Sequence, residues 1–107
     1  MKIPEDALIH GNKLTRYLLV RRPKNDKSGF LALAGFTIDN PEWLEKAIRR
    51  LISENEAIFD RKNEYGAFYL VEGELMGPTK TLLTVTVWIQ LASDNRFHFV
   101  TLKPARK

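Results

Sequence analysis

The stretch KTLLTVTVWIQL, residues 80–91, decides the architecture: a long β-branched run alternating Leu83, Val85, Val87, Ile89 and Leu91 with Thr84, Thr86, Trp88 and Gln90. Period-two alternation over this length specifies a strand, and β-branched residues are good strand formers. The aliphatic set is expected to face the core and the threonine set an open, polar face carrying one tryptophan. On such a face Trp88 either stacks a ligand base or is covered by a loop or the chain terminus.

Outward from this strand the same period recurs. Gly77, Pro78 and Thr79 are turn residues preceded by a strand over Ala67–Leu75, and Ala57–Arg61 reads as a short edge strand. Ser93, Asp94 and Asn95 form a second turn, leading into a strand over Arg96–Leu102. Before about Asn55 the period is helical. Asn40 is a candidate cap, Pro41 suits the first helical position, and Trp43, Leu44, Ala47, Ile48, Leu51 and Ile52 form one apolar stripe. Glu42 with Lys46 and Glu45 with Arg49 have ion-pair spacing on the opposite side. Two shorter helices are expected upstream, over Lys13–Arg21 capped by Asn12 and stopped by Pro23, and over Lys27–Ala34 capped by Asp26 and closed by Gly35. The fold class is α+β: two short N-terminal helices and one longer amphipathic helix followed by a three- to four-stranded antiparallel β-meander.

The chain has 107 residues, 44% of them hydrophobic, which suits one domain over residues 1–107 with an ordered core of about 3–104. Without cysteine it forms neither disulfides nor thiolate zinc sites. The first ten residues lack the pattern of a secretory signal, and no apolar run approaches the roughly 20 residues of a membrane helix. A cytoplasmic protein with no membrane partner is expected.

Net charge is +4, distributed unevenly. Residues 13–27 carry +5, residues 40–76 hold 5 basic against 8 acidic side chains, and residues 77–107 hold 5 against 1. Basic ends brought together would make a patch for phosphates; held apart they are solvated loops that aid solubility. Motifs of nucleotide-binding and common hydrolytic enzymes, G-x-G-x-x-G, the P-loop and G-x-S-x-G, are missing, and His10 and His98 lack metal-ligand spacing. Neither a cofactor nor a metal is therefore expected. His98, between Phe97 and Phe99, is either a general acid or base or a half-buried hydrogen-bonding residue.

Lys13-Leu14-Thr15, Tyr17-Leu18-Leu19, Asp26-Lys27-Ser28, Phe30-Leu31 and Ala34-Gly35-Phe36-Thr37 resemble a family of small bacterial domains of unknown function. Tyr65-Gly66, Phe68-Tyr69, Gly73, Leu75, Gly77, Thr86-x-Trp88, Phe99-Val100-Thr101-Leu102 and Pro104 extend the resemblance over about Ile3–Pro104. Such domains occur as stand-alone proteins and as C-terminal tails of polymorphic toxins, which implies a toxin-like nuclease. Helices followed by an antiparallel sheet is also the arrangement of the RelE and barnase class of small ribonucleases, an analogy of fold. The toxin tails carry His-Pro after the first helix and an arginine before the Thr-x-Trp pair. This chain has Arg22-Pro23 and Val85 there, departures that weaken any carry-over of catalytic residues.

The leading expectation is an RNA-directed protein, with metal-independent ribonuclease activity as its sharpest form. Lys27 with Arg21 or Arg22 would supply charge and His98 the acid or base. Ser28 belongs to the Lys27 cluster, Trp88 or Tyr69 would stack a base, and Thr86 and Thr101 would donate hydrogen bonds. The alternative is a non-catalytic interaction module that binds a cognate small protein partner.

Overall fold

The computed structural model describes residues 1–23 and 26–105. Lys24 of the basic segment, and Arg106 and Lys107 at the C-terminus, lie outside the described residues. A first helix, α1, consists of one α-turn, Gly11–Lys13, continuing into a π-turn, Leu14–Leu18. It is followed by α2, Ser28–Ala32, and α3, Pro41–Glu54. Four strands complete the chain: β1 Ile58–Lys62, β2 Gly66–Met76, β3 Thr81–Leu91 and β4 Phe97–Pro104. They pair antiparallel in the order β1-β2-β3-β4, the meander expected from the turn residues. No helix among the described residues is long and apolar enough to cross a membrane.

The three helices supply one layer and the sheet the other. Leu44, Ala47, Ile48, Leu51 and Ile52 of α3 are buried, as their spacing requires. Trp43, assigned to the same stripe, is instead 48% exposed, at its edge. Pro41 occupies the start of α3, but Asn40 caps without its side chain, which accepts from the Thr37 amide at 2.9 Å. Glu45–Arg49 pairs at 3.0 Å; the other i,i+4 ion pair found on the helix is Arg50–Glu54.

The largest correction concerns β3. Its buried residues are Leu82, Thr84, Thr86 and Trp88, and the aliphatic set points to the opposite face. The reason lies on β2. Register pairs Glu72 with Val85 and Glu74 with Leu83, so turning the aliphatic face inward would bury two carboxylates. An unpaired buried charge costs several kcal/mol or neutralises, whereas a threonine hydroxyl is accommodated once it is hydrogen-bonded. Thr84 donates to the Leu82 carbonyl at 3.0 Å, Thr86 to the Val71 carbonyl at 3.0 Å, and the Trp88 indole to Thr86 Oγ1 at 2.9 Å. Trp88 meets Phe99 edge-on across the strands, with ring centroids 5.3 Å apart.

The helical layer departs from expectation where it meets this core. α1 ends at Leu18 rather than Arg21, and His10, not Asn12, precedes it as cap. The Leu19 amide reaches back to the Leu14 carbonyl at 3.0 Å, and this wider turn leaves Leu14, Leu18 and Leu19 all buried. Asp26 accepts from the Ser28 amide at 3.2 Å and the Ser28 hydroxyl at 2.7 Å, as a capping residue does, although Lys27 holds the cap position. Gly35 adopts φ +93° in the left-handed region, as expected of a helix-closing glycine. Thr79, from the β2–β3 turn, donates to the freed carbonyls of Ala34 (amide, 2.9 Å) and Leu33 (hydroxyl, 3.1 Å). Gly77 is required there because a Cβ would collide with the Ala34 carbonyl.

Thr86→Val leaves the indole N–H of Trp88 without an acceptor in a dry environment. The variant should lose about 1–3 kcal/mol in urea unfolding; a change below about 0.5 kcal/mol would show that the hydroxyl does not carry this face of the sheet.

Candidate functional site

β4 is the sheet's last strand, and two sets of side chains converge along its free edge. Near the start of the strand, Leu8 forms a parallel bridge with His98. The Leu8 amide donates to the Phe97 carbonyl and the Phe99 amide to the Leu8 carbonyl, both at 2.8 Å. Near the end of the strand the edge is closed by a side chain, Lys27 Nζ donating to the Leu102 carbonyl at 2.8 Å.

Lys27 lines a cleft of about 180 Å³ with Tyr17, Leu18, Arg22 and Thr101. The C-terminal turn of α1 presents Tyr17, on whose ring the Arg22 guanidinium rests at 4.6 Å. The Arg22 amide donates to Asp26 at 3.3 Å, the carboxylate that also holds Ser28, so one acidic residue organises the loop on both sides. The Ser28 hydroxyl, first among several donors, holds the Asp26 carboxyl below its ordinary range. Partial burial, and secondarily Lys103, lowers Lys27 below the ordinary lysine value of 10.5. Its ammonium uses one of three N–H donors on Leu102. The cleft thus combines two cations, a hydroxyl and an aromatic ring, a set suited to a phosphate or similar small anion.

The second set lies at the start of the strand. His98 Nε2 is 3.0 Å from Asp94 Oδ2, and His98 Nδ1 is 3.2 Å from His10 Nε2. The imidazole planes agree within 14°, with centroids 5.4 Å apart. Asp94 accepts the Arg96 amide at 2.8 Å through its other oxygen. That bond first, and His98 second, hold its carboxyl below the usual range. His98 is mostly buried, while His10 is exposed.

The residues singled out from the sequence therefore separate. Lys27, Arg22 and Thr101 share the cleft; Arg21 and Ser28 line a neighbouring depression with Asp26, Gly29 and Thr37. Trp88 and Thr86 are fully buried and bonded to each other, so neither the stacking role nor the ligand hydroxyl is open to them. Tyr69 is half-buried, its ring packed near Phe59 and Phe97 at centroid distances of 5.8 and 5.4 Å. His98 is not a lone strand histidine but the middle of a three-residue chain, and the sequence does not single out its partners His10 and Asp94. Asp94 was readable only as a turn residue, and nothing in an 88-residue separation points from His10 to His98.

The family model for a domain of unknown function, DUF6883, matches residues 2–106, and the chain belongs to that family. No curated protein and no solved structure matches it.

Side-chain titration by NMR should place Lys27 below the ordinary lysine midpoint, and Lys103→Gln should bring it partway back. Between that lowered midpoint and 10.5 the unfolded chain binds more protons than the folded one, so stability relative to Lys27→Gln should rise with pH across that window.

Proposed function

We propose that this DUF6883 domain is an RNA-directed, toxin-like protein of the bacterial cytoplasm that holds a backbone phosphate in the Lys27 cleft. The observation that carries the reading is the seating of Lys27. Its ammonium is pinned by Leu102 in the cleft that Arg22 also lines, the Arg22 guanidinium being stacked on Tyr17. Two preoriented cations lose less side-chain freedom on meeting an anion than solvated lysines do. Lys103, close enough to act on the charge of Lys27, and Arg21, close enough to act on that of Asp26, extend the positive charge that a polyanion would follow. Tyr17, 53% exposed with Arg22 resting on its ring, supplies the aromatic surface that the buried Trp88 cannot.

A second reading is a protein-interaction module using the outer face of the sheet. There Phe68, Leu70, Val85, Val87 and Ile89 are only half-covered, and Ile58 beside them is 69% exposed.

Anisotropy of a labelled single-stranded RNA separates the two. Binding should weaken steeply with salt, and Lys27→Ala or Arg22→Ala should each lower affinity across sequences and reduce the magnitude of the log–log salt slope by about 0.7. Salt-insensitive or undetectable binding would favour the protein-interaction reading.

A further inference from the structure

The chain Asp94–His98–His10 has only one arrangement of protons when both rings are neutral. A carboxylate accepts and cannot donate, so the proton of His98 lies on Nε2, facing Asp94 Oδ2 at 3.0 Å. The Nδ1 atom of His98 is then a bare acceptor, and the atom 3.2 Å away, His10 Nε2, must carry the hydrogen. The remaining nitrogen, His10 Nδ1, is left with a free lone pair on an exposed side chain. Any positive charge that develops on His10 is passed toward Asp94 through the shared hydrogen bonds. Arg96 adds its charge to the environment of Asp94 without forming a salt bridge to it, its guanidinium donating instead to the Asp6 carbonyl at 3.2 Å. This is the logic of an oriented histidine base, with a second imidazole placed between the base and the carboxylate.

The base is held firmly. The two Leu8 backbone bonds to β4 lie two residues before His10, and the Lys13 amide donates to the His10 carbonyl at 2.9 Å just after it. The same two elements lead to the phosphate cleft. α1, which follows His10, carries Tyr17 and Leu18, and β4 runs from His98 to Thr101, three residues that include the bulged Val100 and span at most about 10 Å. An extended strand of a few nucleotides covers that separation.

We propose that His10 Nδ1 is the general base of a metal-independent RNA cleavage, with His98 and Asp94 as positioning residues, an inference that rests on the RNA-directed reading of the Lys27 cleft. His10 takes the proton of a ribose 2′-hydroxyl while that oxygen attacks the adjacent phosphorus. The O2′–P bond forms and the P–O5′ bond breaks. The departing O5′ takes a proton from water, and the hydroxide left behind is neutralised by the proton on His10. The products are a 2′,3′-cyclic phosphate and a 5′-hydroxyl end.

Asp94→Asn is the informative variant. Oδ1 of residue 94 accepts the Arg96 amide, so in the variant the carboxamide oxygen keeps that place and its NH₂ group faces His98. Both imidazoles must then switch tautomer, which puts the proton of His10 on Nδ1 and removes the base without removing the residue. Labelled single-stranded RNA is incubated with the full chain, its His10→Ala and Asp94→Asn variants, and an RNA with 2′-deoxyribose throughout; binding is measured in parallel and histidine tautomers by ¹⁵N NMR. Expected are chelator-resistant cleavage ending in cyclic phosphate, none of the deoxy strand, and a loss of about 10²-fold or more in both variants with binding retained. The NMR spectrum should show His10 Nδ1 unprotonated in the wild type and protonated in Asp94→Asn. RNA bound but not cleaved, or His10 found protonated on Nδ1 in the neutral wild type, overturns the inference and leaves the binding reading standing. RNA neither bound nor cleaved overturns both.

Discussion

An indole N–H inside a dry core needs an acceptor, and the sheet is arranged around the one it finds. Trp88 donates to Thr86 Oγ1, and Thr86 donates across to Val71, so the most buried face of β3 comes with its polar groups already matched. Glu72 and Glu74 reinforce the choice by requiring the opposite face to stay wet. Once that face is inward, the helices have only one side of the sheet to cover. β4 is constrained in turn: Phe97, Phe99 and Leu102 are committed to the core, and its chemically capable residues, His98 and Thr101, pair with the outward-facing Ile89 and Val87. The unpaired Val100, a bulge between Phe99 and Thr101, keeps both ends of the strand in phase with this division.

Much of this architecture was legible as pattern. α3 combines a proline start with a 3.6-residue stripe, and the four strands fall within a few residues of where turn chemistry puts them. The orientation of β3 was not legible from β3 alone. Both of its faces are well populated with strand-forming side chains, and the aliphatic one looks the more apolar when considered by itself. The deciding charges sit on β2, whose own alternation of Val71, Gly73 and Leu75 against Glu72 and Glu74 is unambiguous. Faces of a sheet are a joint property of paired strands, and a single strand read in isolation can be inverted.

The candidate site divides in the same way. Lys27, Arg22 and Thr101 were identifiable by charge and residue type, and short-range geometry gathers them: a carboxylate-organised loop on one side and a strand end on the other. The histidine chain depends on a different kind of contact. It exists because the segment around Leu8 runs parallel to β4, a pairing of chain ends for which no local signal exists. Within it only Asp94 and His98 are near in sequence, spaced four apart across a turn whose Asn95 has φ 60°.

The two margins of the sheet are unlike. At β4, backbone groups are taken up by Leu8 and by Lys27. At β1 all five residues are exposed, and Ile58 and Phe59 stand among the most exposed large apolar side chains. A strand so placed is where polymerisation by sheet extension would start at high concentration. The register shift after Phe59 and the charged run Asp60, Arg61 and Lys62 interrupt the template after two residues, acting as built-in gatekeepers. Resistance to sheet extension at this margin therefore rests on those three charges, at the opposite edge of the sheet from the cleft and the histidines.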